Sequence, residues 1–143
     1  MRKKYGVLVV DDDASTRKLF EKILKAIPEL EVELAKNGKE ALTLIEKSLP
    51  DIILCDLMMP GMDGLELCRH LKSDADSDLS DIYLIMISTR EAKEDKIKCM
   101  REGADDYLTK PVDPDELLAR VKVGQRISSQ LKKPQLEARR MFE

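Results

Sequence analysis

Five residues in this chain carry groups that could act together: Asp11, Asp12, Asp56, Ser88 and Lys110. Each follows a short apolar run, directly or within a residue or two. Tyr5 to Val10 ends in Asp11-Asp12-Asp13, Ile52 to Cys55 in Asp56, Ile82 to Ile87 in Ser88, and Asp106 to Thr109 in Lys110. Brought to one place, they would form an acidic pocket with one hydroxyl and one ammonium. Two like charges about 4 Å apart cost roughly 1 kcal/mol in water and about 4 kcal/mol where the effective dielectric is near 20. A cation relieves that repulsion, and oxygen ligands without His or Cys select a magnesium-like ion. A divalent ion held by Asp11, Asp12 and Asp56 would neutralise a phosphoryl donor and leave an Asp56 oxygen as nucleophile. Ser88 and Lys110 would then stabilise charge on the phosphoryl oxygens.

That chemistry needs elements that deliver all five groups to one edge. The four apolar runs read as buried strands of a parallel sheet. A fifth, Leu30 to Leu34, alternates with Glu31 and Glu33 on one side, as an edge strand does. Helical periodicity appears in Leu19, Phe20, Ile23, Leu24 and Ile27, closed by Pro28, and in Ala41, Leu42, Leu44 and Ile45, ended near Pro50. Leu65 to Leu71 and Ala92 to Glu102 suit two more helices, the second with Gly103 at its end. Ser15 is the expected cap of the first helix. Asn37-Gly38 and the Pro60, Gly61, Gly64 stretch make turns. Asp113-Pro114-Asp115-Glu116 opens a last helix, an acceptor cap followed by proline and acids. It continues through Leu117, Leu118 and Val121, with Ile127 and Leu131 as an extension, until Pro134. Strand and helix alternate five times, which gives a parallel sheet with helices on both faces. Active groups then belong at the strands' carboxyl ends, near the point where strand order reverses.

The 143 residues suit one domain with a core of Leu, Ile, Val, Met and Ala, since aromatics are 3% and Trp is absent. The net charge of -3 argues against a nucleic-acid-binding surface over the whole domain. No apolar run approaches the length of a membrane helix, and Met-Arg-Lys-Lys leads into a strand rather than a signal peptide, so a cytoplasmic location is expected. Cys55, Cys68 and Cys99 show neither metal spacing nor a redox pair and read as buried, reduced thiols. The acid-rich stretch Ser73 to Asp81 lacks the Gly and terminal Glu of a calcium loop and reads as solvated surface. Asp13 reads as a loop acid, Asp63 as a turn support, and Asp105 and Asp106 as the start of the fifth strand. His70 reads as solvated or packed, and Met59, Met62 and Met86 as loop and core fillers.

Four motifs stand in order: Val9-Val-Asp-Asp12, Asp56-Leu-Met-Met-Pro-Gly-Met-Asp-Gly64, Ile87-Ser88, and Gly103-Ala-Asp-Asp-Tyr107-Leu-Thr-Lys110-Pro111. Together they resemble the receiver domain of two-component response regulators. The resemblance implies a flavodoxin-like, doubly wound five-stranded parallel sheet of order 2-1-3-4-5. It implies that Asp56 is the phosphoacceptor and that Asp11, Asp12, Asp56 and the Met58 backbone carbonyl hold Mg²⁺. Ser88, Tyr107 and Lys110 would form the switch, Tyr107 rotating inward, and the Lys110-Pro111 bond is expected to be cis. A sensor histidine kinase or a phosphotransfer protein would donate the phosphoryl group. The face of the fourth helix, fifth strand and fifth helix would then change partners, and a homodimer through that face is common in the family. Such a domain catalyses its own phosphorylation and a slow autodephosphorylation rather than turnover of a substrate. Met58 and Arg90 should flank the path of a hydrolytic water, and an apolar Met58 cannot orient it, so slow phosphate loss is expected. Thr89 stands where the family usually has a smaller residue.

Residues 1–128 are read as the receiver domain and 129–143 as a basic tail or linker. From Arg120 onward Lys122, Arg126, Lys132, Lys133, Arg139 and Arg140 outweigh Glu137 and Glu143. The tail is too short for an effector and shows no helix-turn-helix pattern, and it looks like the linker to a C-terminal output domain. Two alternatives compete. One is a receiver-shaped binding module that is never phosphorylated. The other is a haloacid-dehalogenase-like phosphatase, since Asp11-Asp-Asp13-Ala-Ser15 resembles its nucleophile motif. There, however, the acidic pair Asp105-Asp106 would stand on the wrong side of Lys110.

Overall fold

The computed structural model describes residues 4–89 and 93–142. Strands and helices alternate as β1 (Tyr5–Val10), α1 (Ala14–Leu24), β2 (Leu30–Ala35), α2 (Gly38–Lys47), β3 (Ile52–Asp56) and α3 (Gly64–Lys72). A 3₁₀ turn (Asp78–Asp81) then leads to β4 (Tyr83–Ser88), α4 (Lys93–Arg101), β5 (Asp106–Thr109) and α5 (Pro114–Phe142). All neighbouring strands pair parallel, in the order β2-β1-β3-β4-β5. This is the flavodoxin-like order expected from the sequence. Strand order reverses between β1 and β3, where the ends of those strands open a crevice.

Side chains alternate across each strand and so build two cores. Leu8, Val10, Ile53, Cys55, Leu84 and Met86 pack under α2, α3 and α4. Val7, Val9, Ile52, Leu54, Ile85 and Ile87 pack under α1 and α5. Because β3 and β4 are covered on both faces, their sequences are apolar throughout until the functional residue arrives. β2 lies at the sheet edge with Glu31 and Glu33 exposed, as its alternation predicts. Cys55, Cys68 and Cys99 are all buried and free.

Several local expectations change. Asp13, read as a loop acid, caps α1: its carboxylate accepts from the Thr16 backbone N–H at 3.1 Å and the Thr16 hydroxyl at 2.6 Å. Ser15, the expected cap, lies inside the first turn. An acid two residues earlier reaches the free donors and also suits the positive end of the helix dipole. Leu19 faces solvent at 54% exposure, while Phe20 and Leu24 carry the buried stripe of α1. Ile82 caps the end of the 3₁₀ turn rather than opening β4, its N–H closing on the Leu79 carbonyl. α5 runs past Pro134 to Phe142. A proline inside a helix costs about 3 kcal/mol, but the flanking Gln, Leu, Lys, Glu, Ala and Arg are strong helix formers. Arg90 and the expected start of α4 at Ala92 lie outside the described residues.

Asn37 and Asp63, read from the sequence as turn residues, cap α2 and α3. The Asp113 carboxylate accepts from Asp115 N–H at the start of α5, where a cap is expected. Gly103 follows α4 with φ +111, a conformation that L side chains rarely adopt. At the opposite edge from the acidic cluster, Ser128 donates to Asp51 Oδ1 at 2.7 Å and Gly6 N–H donates to Asp51 Oδ2 at 2.9 Å. The Tyr5 hydroxyl donates to Ser129 Oγ at 3.2 Å. These bonds tie α5 to the sheet as far as Ser129.

Candidate functional site

Parallel register decides which residues meet at the carboxyl edge. Val10 pairs with Cys55, Asp56 with Ile87, and Ser88 with Thr109. Beyond these pairs the chain stays stitched: Leu57 N–H donates to Ile87 O at 2.9 Å and Lys110 N–H to Ser88 O at 2.6 Å. Asp11 therefore leaves β1 beside the end of β3, and Lys110 leaves β5 beside the end of β4. Carboxylate oxygens of Asp11, Asp12 and Asp56 come within 4.8 Å of one another. Lys110 Nζ stands 3.3 Å from Asp11 Oδ2 and 3.4 Å from Asp56 Oδ2. Asp11 and Asp56 are buried and Asp12 is exposed.

Three carboxylates thus face one ammonium. Burial raises the Asp56 pKa above the ordinary value, and Asp11 adds to the rise, against the opposing pull of Lys110 and the Met58 N–H. Burial alone would lower the Lys110 pKa. The Asp56 and Asp11 carboxylates overcome that, and Lys110 ends above its ordinary value. An all-oxygen cluster with excess negative charge is what a hard divalent cation takes, so Asp11, Asp12 and Asp56 could hold Mg²⁺.

The loops are held by bonds of their own. Arg17 donates to the Asp11 carbonyl at 2.6 Å, and Asp13 N–H donates to Asp11 Oδ1 at 2.9 Å. Met58 N–H donates to Asp56 Oδ1 at 3.3 Å, while the Met58 side chain is exposed. Gly64 N–H donates to Leu57 O at 2.9 Å, which folds the loop back on the strand. A Cβ at Gly64 would lie 2.7 Å from the Asp56 carbonyl oxygen and 2.8 Å from Leu57 Cα, so only glycine permits this approach.

Ser88 and Tyr107 are neighbours on β4 and β5. Both hydroxyls are buried, and neither finds a hydrogen-bond partner among the described residues. Burial raises the Tyr107 pKa, while the nearby Ser88 hydroxyl opposes the rise. An unsatisfied buried hydroxyl costs about 1–3 kcal/mol, against roughly 1.5–3 kcal/mol gained by burying an aromatic ring. The inward rotation expected of Tyr107 therefore starts from a ring whose hydroxyl is already buried. The Lys110-Pro111 bond is cis, as expected. Thr89 is exposed beside Ser88.

Some contributors carry no recognisable mark in the sequence. Arg17 sits six residues after Asp11 among many basic residues. Lys72 donates to Ser80 O at 2.7 Å, Ile82 O at 2.6 Å and Asp105 Oδ2 at 3.0 Å. Asp105 also accepts from Leu84 N–H at 2.8 Å, and Asp106 pairs with Arg120 at 3.2 Å. The acidic pair thus serves the far end of β5, ion-paired and away from Asp11, which removes the phosphatase alternative.

Fold and site together define a flavodoxin-like α/β domain with an acidic pocket at its strand reversal. The response regulator receiver domain family matches residues 7–122. The chain belongs to that family. It is 41% identical over 116 residues to the response regulator MprA of Mycolicibacterium vanbaalenii, covering 81% of this chain and 48% of that one. Among solved structures, a putative response regulator from Chloroflexus aurantiacus aligns with a TM-score of 0.77 at 36% identity, over 89% of this chain and 99% of that one. The Vibrio cholerae chemotaxis protein CheY4 aligns with a TM-score of 0.75 at 31% identity, over 87% and 98% of the two chains. The chain spans about half the length of MprA. It is a signalling domain, and none of its described helices is long and apolar enough to cross a membrane.

Proposed function

We propose that this receiver domain is a phosphoacceptor, with Asp56 as the residue modified. The observation that carries the reading is the convergence of buried Asp56 with Asp11, Asp12 and Lys110 at one sheet edge. A phosphohistidine on a sensor histidine kinase or phosphotransfer protein, or a small acyl phosphate, presents its phosphorus to an Asp56 oxygen. The O–P bond forms as the bond to the donor breaks, its electron pair leaving with the donor. Asp11, Asp12, Asp56 and the Met58 carbonyl would hold Mg²⁺, which would supply charge neutralisation for this transfer. Lys110 stabilises the transferring oxygens from the β5 side and keeps the Asp56 carboxylate oriented. Ser88 offers its buried hydroxyl to the phosphoryl group once Asp56 carries it.

The acyl phosphate adds charge and acceptor oxygens beside Ser88. Ser88 turns toward them, Tyr107 follows, and the α4-β5-α5 face changes its affinity for an output partner, an output domain or a second copy. Moving a population from 1:99 to 99:1 takes about 5.5 kcal/mol of differential binding, which a few charge-assisted bonds supply. The exposed apolar Met58 gives no polar group to orient a hydrolytic water, so the phosphate is lost slowly. Residues 1–128 form the working unit, extended by the α5 contacts to Ser129, and 129–143 serve as a basic tail or linker. The domain works in the cytoplasm, without direct contact to nucleic acid or membrane.

Beryllofluoride, a phosphoryl mimic, tests the reading. With Mg²⁺ it should shift the backbone NMR signals of Asp56, Ser88 and Lys110 in the unmodified chain and leave Asp56→Asn unchanged. Equal responses in the two proteins would refute Asp56 as acceptor.

A further inference from the structure

We propose that Lys96 on α4 is a positioning residue for the switch, biasing the Tyr107 ring toward the orientation that buries its hydroxyl beside Ser88. The inference rests on the phosphoacceptor reading above. Lys96 Nζ lies 5.2 Å from the centroid of the Tyr107 ring. Lys96 itself is exposed, the ring is half-buried against the core under α2, α3 and α4, and its hydroxyl is buried without a partner among the described residues. A hydroxyl that leaves water without gaining a bond works against its own burial. Something on the ring side must oppose that, and two contacts do: apolar packing beneath the ring and a cation over its electron-rich face.

The backbone cannot share this task. Tyr107 is fixed in register opposite Met86, so the ring's freedom is rotation about its side-chain bonds. Its hydroxyl end adjoins Ser88 and its face meets Lys96. Tyr107 therefore joins the acidic pocket to the outer surface of α4 through a single side chain. Removing the ammonium withdraws one of the two contacts that hold the ring inward. By linkage, a ligand of the pocket that favours the inward ring then binds less tightly. For an exposed cation–ring contact the expected shift in the ring equilibrium is about 2–5-fold.

The full chain carrying ¹³C-labelled tyrosine rings tests this, as wild type, Lys96→Arg and Lys96→Gln, with Tyr107 assigned by Tyr107→Phe. Lys96→Arg should keep the wild-type Tyr107 ring shifts. Lys96→Gln should move them toward those of a solvent-exposed tyrosine and weaken Mg²⁺-dependent beryllofluoride binding about 2–5-fold. Unchanged ring shifts in Lys96→Gln would overturn the proposal. So would a moved ring with unchanged affinity, or a Lys96→Arg protein that behaves like Lys96→Gln. Wild-type protein that fails to bind beryllofluoride would refute the phosphoacceptor reading instead, and the ring shifts would still decide whether Lys96 holds Tyr107.

Discussion

Burial raises the Asp56 pKa, and the Asp11 carboxylate raises it further. In the window between an ordinary carboxylate value of roughly 3.9 and the raised one, the folded chain holds the Asp56 proton more tightly than the unfolded chain does. Stability therefore falls as pH rises through that window, and above it the ionised group remains a standing cost. Asp56→Asn removes the cost. In metal-free buffer it should be more stable than wild type at neutral pH by on the order of 1 kcal/mol, with the gain shrinking toward pH 4. Chemical denaturation of both proteins across that range measures it, and a pH-independent difference would contradict the assignment. The Lys110 pKa is also raised, so its stability contribution is fully present at neutral pH and is lost as pH rises from the ordinary value through the raised one. The thiols give a second prediction at this scale. Burial pushes Cys68 to about 11 and Cys99 to about 12, and Cys55 well above its ordinary value. Native protein near pH 8 should resist a disulfide-exchange reagent such as dithionitrobenzoate, and denatured protein should react fully.

Elements hold the site through close approaches and staples. Gly64→Ala should cost about 1–3 kcal/mol, since its Cβ would press not only on the movable Met86 side chain but on the Asp56 carbonyl and the Leu57 Cα, which are backbone. Thermal unfolding checks this, and wild-type stability would mean that the loop yields freely. Lys72→Met should cost a comparable 1–3 kcal/mol or so, leaving two carbonyls and Asp105 without the ammonium. The strands were legible because those buried on both faces read as unbroken apolar runs stopped by Asp11, Asp56 and Ser88. Of the caps, Asp113 was legible, while Asn37 and Asp63 were legible only as turn residues. The reading misled at Ser15, because Asp13, two residues earlier, competes for the same donors and wins. Lys72, Arg17 and Lys96 could not be picked out, since their partners are backbone carbonyls or a ring brought near only by the fold.

The whole molecule is a sheet with two working ends. At the carboxyl edge the strand register assembles the pocket, and there the order of four motifs was enough to predict which side chains meet. At the other edge the Asp51, Ser128 and Tyr5 bonds fasten α5, a long-range arrangement that no local pattern announces. Magnesium should stabilise the entire fold because the pocket draws on β1, β3 and β5 together. At a concentration 100 times its dissociation constant the gain is about 2.7 kcal/mol, read as a rise in Tm that a chelator reverses and Asp56→Asn diminishes. The most direct test of the central claim is intact mass with peptide mapping after incubation with acetyl phosphate and Mg²⁺, with and without chelator. We predict one phosphoryl group on the peptide bearing Asp56, absent with chelator and absent in Asp56→Asn. No addition to folded, magnesium-binding protein, or an addition on Asp11 instead, would contradict it.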